Sequence, residues 1–156
     1  MIYTELTKKA MRIAFDAHFG QTDRGGTPYI CHPLHVADQM PDERTTAAAI
    51  LHDVLEDTDV TVEDLRREEI PEEVIRIVEI LTRDRRISYA SYIDRIIESG
   101  NTDALLVKQA DIRHNMDESR TESGTLPRSL KHRYEEAIVR VEAALKEETA
   151  LHVVNE

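Results

Sequence analysis

Nearly every stretch of this chain repeats its apolar residues at helical spacing, and none alternates as a half-buried strand does. That pattern restricts the fold to helix packed on helix. In residues 4–19, Leu6, Ala10, Ile13, Ala14 and Ala17 share one stripe. The run 20–28 is a loop rich in glycine and closed by Pro28. Further helices are expected at 32–40, 47–57, 61–69, 71–81, 88–100, 102–118 and 126–154, with a polar break at 119–125. Thr61 is expected to cap its helix with Asp64 as capping-box partner, and Asn101 or Thr102 to cap the helix that follows Gly100. Seven aromatic residues and no tryptophan imply aliphatic packing. The expectation is an all-α, single-domain bundle of about eight helices spanning residues 1–156.

Charge narrows the function. Twenty basic against 31 acidic residues give a net charge of −11, which argues against broad binding to nucleic-acid backbones or anionic membranes. A small phosphorylated ligand stays compatible if basic residues or a metal gather locally. The lone Cys31 excludes an internal disulfide and fits a reducing cytoplasm. No stretch reaches the roughly 18 apolar residues of a membrane span, and the N-terminus carries no signal-peptide pattern.

Two polar interruptions of apolar helices carry the chemistry. In 47–59, His52 and Asp53 break an alanine-rich run, with Glu56 one turn above His52 and Asp57 one turn above Asp53. Carboxylates at a helix C-terminus cost about 0.3–1 kcal/mol each, and the Asp53/Asp57 pair adds about 0.2–0.5 kcal/mol. A divalent cation would offset this; a solvated acidic helix end is the alternative. Asp111 interrupts 104–116 in the same way, and His32, before Pro33, is expected at a helix mouth. His32, His52, Asp53 and Asp111 make a mixed nitrogen and oxygen ligand set. In an octahedral shell it leaves two open positions, suiting Mn²⁺, Fe²⁺ or Mg²⁺ better than a thiolate-bearing zinc site. His35 competes with His32 as a ligand, while His18, His132 and His152 read as ordinary helix histidines.

Three motifs in order carry a family resemblance: Gly26-Thr27-Pro28-Tyr29-Ile30-Cys31-His32-Pro33, Ala49 through Thr58 with its His52-Asp53 and Glu56-Asp57-Thr58, and Val107 through Met116. Together they resemble the HD phosphohydrolase superfamily, specifically its RelA/SpoT-type alarmone hydrolases and their small stand-alone relatives, over about residues 7–141. The resemblance implies one Mn²⁺ held at His32, His52, Asp53 and Asp111, and removal of the 3′-pyrophosphate from guanosine tetra- or pentaphosphate. It implies that Glu56 and Asp57 orient or activate the attacking water and that Asn115 contacts the nucleotide. Arg24, Lys108, Arg113 and Arg120 are the candidate phosphate-binding cations, with Arg83 behind them, and Tyr134 with Arg128 and Arg133 on the last helix is a further candidate contact by similarity to the small relatives.

One departure stands out. Where larger family members carry an Arg-Lys pair, this chain has Asp23-Arg24. That weakens the expectation of guanine and favours an adenine alarmone of the pppApp type or another nucleotide. The alternatives are thus a nucleotidase or phosphatase acting on NADPH or nucleoside monophosphates and, in a different class, a non-catalytic alarmone-binding module. The expected partner is a small-molecule nucleotide, with no nucleic acid, no membrane and a homodimer left open.

Overall fold

Helix caps set the order of elements in the computed structural model, which describes the backbone of residues 1–154 and side chains through Leu151. Thr4 caps α1 (Glu5–Ala17) in a reciprocal box with Thr7. A loop carrying an isolated antiparallel bridge between Thr22 and Pro28 leads to α2 (Cys31–Asp38). Asp42 accepts the Thr45 N–H at 2.8 Å and starts α3 (Glu43–Leu51). A one-turn α4 (Val54–Asp57) follows, then α5 (Val62–Arg67) behind the Thr61/Asp64 capping box. Pro71 opens α6 (Glu72–Leu81), Ser88 caps α7 (Tyr89–Glu98), and Asn101 caps α8 (Thr102–Asn115). A 3-10 turn at Glu118–Arg120 precedes α9 (Arg128–Val154). The fold is all-α, and no helix among the described residues is long and apolar enough to cross a membrane. The His152 side chain lies outside the described set.

The expected helix 47–57 needs correction. It starts earlier, because Asp42 supplies the cap, and it stops at Leu51. His52 and Asp53 form the joint before α4, so the helix-dipole penalty inferred for the acids does not apply as stated. The Asp57 N–H still bonds the Asp53 carbonyl at 3.0 Å, which keeps those two residues one turn apart. The helix expected to 118 ends at Asn115, since Asp117 caps the 3-10 turn instead. His32 lies inside the first turn of α2, with its side chain buried.

Helix α3 is the axis of the bundle. Every residue from Thr45 to Leu51 is buried, and α1, α2, α6 and α8 pack around it. Ala47, Ala48 and Ala49 let those neighbours come close, while Ile50 and Leu51 fill the space between. Helix α8 presents Ala104, Leu105, Val107 and Ile112 to the same core and carries α9 on another face. The C-terminal end of α3 therefore opens where α2 and α8 converge, and polar side chains collect there.

Candidate metal centre

Three elements each bring one or two candidate ligands to the joint. His32 Nε2 from α2 lies 3.1 Å from Asp111 Oδ1 of α8 and 3.7 Å from Asp53 Oδ2. His52 Nε2 lies 3.0 Å from Asp53 Oδ2 and 3.7 Å from Asp111 Oδ1. His32, His52 and Asp53 place a ligand atom each within 4.8 Å of one another, and Asp111 Oδ1 stands against the two imidazole nitrogens. Neighbouring ligands around an ion with bonds of about 2.1 Å stand about 3 Å apart. The spacing fits a shared cation.

His52 supplies the sharper test. Its Nδ1 lies 2.7 Å from the Ala49 carbonyl oxygen, which only accepts, so Nδ1 carries the hydrogen. Nε2 is buried and has no hydrogen-bond partner among the described residues. A bare lone pair would face a carboxylate oxygen at 3.0 Å unless something positive stood between them. Burial disfavours the imidazolium, yet Asp53 and Asp111 outweigh it and hold the His52 pKa well above the ordinary range. The position calls for a cation, and the donor set suits a divalent metal.

Each candidate ligand is held from behind, as metal ligands usually are. The Tyr29 hydroxyl donates to Asp53 Oδ2 at 2.5 Å. Asn115 Nδ2 donates to Asp111 Oδ1 and Lys108 Nζ to Asp111 Oδ2, both at 2.7 Å. Lys108 and Asn115 lie three residues before and four after Asp111, so all three share a face of α8. Burial opposes the Asp111 carboxylate, but Lys108 leads the groups that hold its pKa well below the usual carboxylate range. Behind His32 stands His114, its Nδ1 2.7 Å from Nδ1 of His32 and its ring stacked on His35. Burial, then the Arg120 guanidinium, pushes the His114 imidazole down to about 3.

Glu56 and Asp57 flank the centre on α4. Glu56 Oε1 accepts the Arg83 backbone N–H at 2.7 Å, and Asp57 Oδ1 meets Arg85 Nη2 at 2.9 Å. Both carboxyls have raised pKa values, first through burial and then through the charge of Asp53, although for Glu56 the Arg83 N–H works against the rise.

A cavity of about 240 Å³ is lined by Arg24, Tyr29, Asn115, Arg120, Leu126 and Tyr134, among others. Arg120 spans it, donating to the His114 carbonyl at 2.9 Å and reaching Asp23 Oδ2 at 3.4 Å. Of the expected substrate contacts, the structure brings Arg24, Asn115, Arg120 and Tyr134 together. It does not bring Lys108 or Arg113 there. The Lys108 ammonium is buried on Asp111, and Arg113, two residues beyond Asp111 on the opposite face of α8, pairs with Glu142 at 2.8 Å. His35 is exposed and away from the ligand atoms, behind His114. Sequence reasoning gave no role to Tyr29, although it stands within the first motif. It also passed over His18, which is buried against Tyr29 with Nδ1 2.8 Å from Gln21 Oε1 and with no hydrogen-bond partner for Nε2 among the described residues.

A further cationic group surrounds Tyr89. Arg133, Arg83 and Lys108 place their charges 5.2, 5.5 and 5.5 Å from its ring centroid. Only Lys108 meets a carboxylate among the described residues.

Comparison with known proteins gives a consistent picture. A family profile described as HD domain matches residues 10–116. SpoT of Escherichia coli (strain K12), named as a bifunctional (p)ppGpp synthase/hydrolase, is 36% identical over 121 residues, covering 70% of this chain and 17% of SpoT. The guanosine-3′,5′-bis(diphosphate) 3′-pyrophosphohydrolase of Aquifex aeolicus is 40% identical over 93 residues, 57% of this chain and 13% of its own. The chain thus spans only 13–17% of the length of these curated relatives. A solved structure described as a metazoan ortholog of SpoT that hydrolyzes ppGpp superposes with a TM-score of 0.72 at 23% identity, covering 97% of this chain and 98% of that one. At that identity it shows the fold.

Proposed function

The chain belongs to the HD domain family, and we propose that it is a metal-dependent phosphohydrolase removing the 3′-pyrophosphate from guanosine tetra- or pentaphosphate. The observation that carries the proposal is the convergence of His32, His52, Asp53 and Asp111 on one point, with Glu56 and Asp57 alongside. The relatives named as ppGpp hydrolases support the substrate class.

In this reading His32, His52, Asp53 and Asp111 hold the ion, Mn²⁺ by family resemblance with Fe²⁺ and Mg²⁺ as alternatives. When bound, the ion supplies Lewis acidity toward water and the phosphoryl oxygens. Glu56 and Asp57 orient the attacking water and take its proton. Their raised pKa values suit that exchange better than an ordinary carboxylate, because a base works best with a pKa near the working pH. Lys108 offsets the charge of Asp111, and Tyr29 fixes the orientation of Asp53. Arg24, Arg120, Asn115 and Tyr134 receive the nucleoside, while Arg83 and Arg133 beside Tyr89 offer charge to a second phosphate group.

A narrower second reading concerns the base. Asp23 Oδ1 accepts the Gly25 and Thr27 N–H groups at 2.9 Å, and Oδ2 faces Arg120, so its carboxylate is committed to shaping the pocket. An adenine 3′-pyrophosphate is the rival substrate on that ground. The deciding experiment is a Mn²⁺-loaded panel of guanine and adenine 3′-pyrophosphates, NADPH and nucleoside monophosphates, with a chelated control. Pyrophosphate release from the guanine compound is expected to be fastest. Tight binding without product would make the protein an alarmone-binding module, and preferential turnover of NADPH or a monophosphate would replace the proposed activity.

A further inference from the structure

The two imidazoles of the metal centre differ in what stands behind them. Nδ1 of His52 faces a backbone carbonyl, so its tautomer is fixed by a group that only accepts. Nδ1 of His32 faces Nδ1 of His114 at 2.7 Å, with the ring planes within 4° of parallel and the centroids 5.0 Å apart. Two ring nitrogens at that distance share one hydrogen. Unlike a carbonyl, either can hold it.

The two arrangements have opposite consequences for the centre. With the hydrogen on His32 Nδ1, Nε2 is bare and turns its lone pair toward the space shared with Asp53 and Asp111. With it on His114 Nδ1, His32 keeps its own hydrogen on Nε2 and donates to Asp111 Oδ1 at 3.1 Å, across the place a cation would occupy. The count balances in both: each ring holds one hydrogen, which moves between Nδ1 and Nε2 through solvent. The surroundings favour a fixed ring. His35 stacks on His114 with centroids 3.9 Å apart, and Arg120 Nη1 holds the His114 carbonyl at 2.9 Å. The ring also borders a cavity of about 260 Å³ that includes His35, Gln39, Gln109 and Arg113.

We propose that His114 is a positioning residue that sets the tautomer of the metal ligand His32, by accepting its Nδ1–H and so presenting its Nε2 lone pair to the ion. The inference rests on the metal reading of the centre but not on any substrate. It is tested by competing the full chain against a chelating dye for Mn²⁺. His114→Phe keeps a ring on His35 but has no acceptor, and its Mn²⁺ affinity is expected to fall about 10–100-fold. His114→Ala should fall equally and recover on adding free imidazole, which the bordering cavity admits, whereas His114→Phe should not recover. A purely structural role would give loss without recovery, and that result overturns the proposal. So does Mn²⁺ binding by His114→Phe within twofold of the parent. Should either variant fail to fold, histidine ¹⁵N spectra of the Mg²⁺-loaded parent decide: hydrogens on His32 Nδ1 and His114 Nε2 support the proposal, and one on His114 Nδ1 sinks it. A parent chain that binds no Mn²⁺ removes this inference together with the proposed function; a parent that binds alongside an unimpaired His114→Phe removes this inference alone.

Discussion

The candidate metal centre and the adjoining pocket proposed for the nucleotide are built on different terms. At the centre, His32, His52, Asp53 and Asp111 come from helices or a helix joint, and each is gripped from behind by a separate partner. The pocket is walled by a glycine-rich loop, a 3-10 turn and the side of α9, with Arg24 exposed on its rim. The contrast has a physical source. An ion needs its donors fixed to within a fraction of an ångström, which only packed elements supply, while a nucleotide is held by fewer and longer contacts that loops can vary. Change at the centre should therefore be severe and shared between folding and metal binding, and change at the pocket should be mild and confined to substrate.

Asp111 breaks the contrast hardest. Removing its carboxylate strands the buried Lys108 ammonium, a change that costs about 3–5 kcal/mol in comparable pairs. Asp111→Ala is therefore expected to lower stability by that order in chemical denaturation and to abolish Mn²⁺ binding. Adding Lys108→Met should restore most of the stability and none of the metal. Recovery of both would mean that Asp111 is a structural partner of Lys108 and no ligand.

The same contrast explains what could be read from the chain. His52, Asp53 and Asp111 were legible because each interrupts an apolar helix that would otherwise exclude it, and His32 because a proline follows it. The break at His52-Asp53 was not, since helical period continues through residues whose polar side chains end the helix. Lys108 and Arg113 were expected beside the substrate on charge alone, which carries no direction; the structure sets Lys108 on Asp111 and Arg113 on Glu142. Their position around α8 relative to Asp111 would have placed one on the buried face and the other outside. The partner role of His114 was hidden, because the contact joins residues 82 apart in sequence.

Glu56 separates catalysis from metal binding within the centre. Its raised pKa means that ionising it costs more in the folded chain than in the unfolded one. Its contribution thus favours folding below the ordinary carboxylate value and is lost as pH rises through the raised one, so at neutral pH the charge is a burden. Glu56→Gln can still accept the Arg83 N–H. It is expected to be at least as thermostable as the parent and to hold Mn²⁺ within a few-fold, while kcat falls by about 10²–10⁴. For the parent, the acid limb of the kcat profile should lie above the usual carboxylate range, because the ionised form is needed and is lost early as pH drops. Full activity in Glu56→Gln would reassign the base.

The mildest effects belong to the pocket wall, and two substitutions sharpen the comparison there. A Cβ on Gly25 would sit 2.1 Å from the Arg120 carbonyl oxygen, far inside contact distance, so Gly25→Ala must push the loop off the 3-10 turn that carries Arg120. The proposed ligand atoms lie elsewhere, on α2, the α3–α4 joint and α8. A rise in KM of about tenfold, equivalent to about 1.4 kcal/mol of lost binding, is expected with Mn²⁺ affinity unchanged. Arg113→Ala provides the opposite limit. Its exposed guanidinium pairs with a partly exposed Glu142 and faces away from the pocket, so stability should move by no more than about 0.5 kcal/mol and KM not at all. A KM increase in Arg113→Ala that matched Gly25→Ala would place substrate on the far side of α8 and undo the division between a rigid centre and a loop-built pocket.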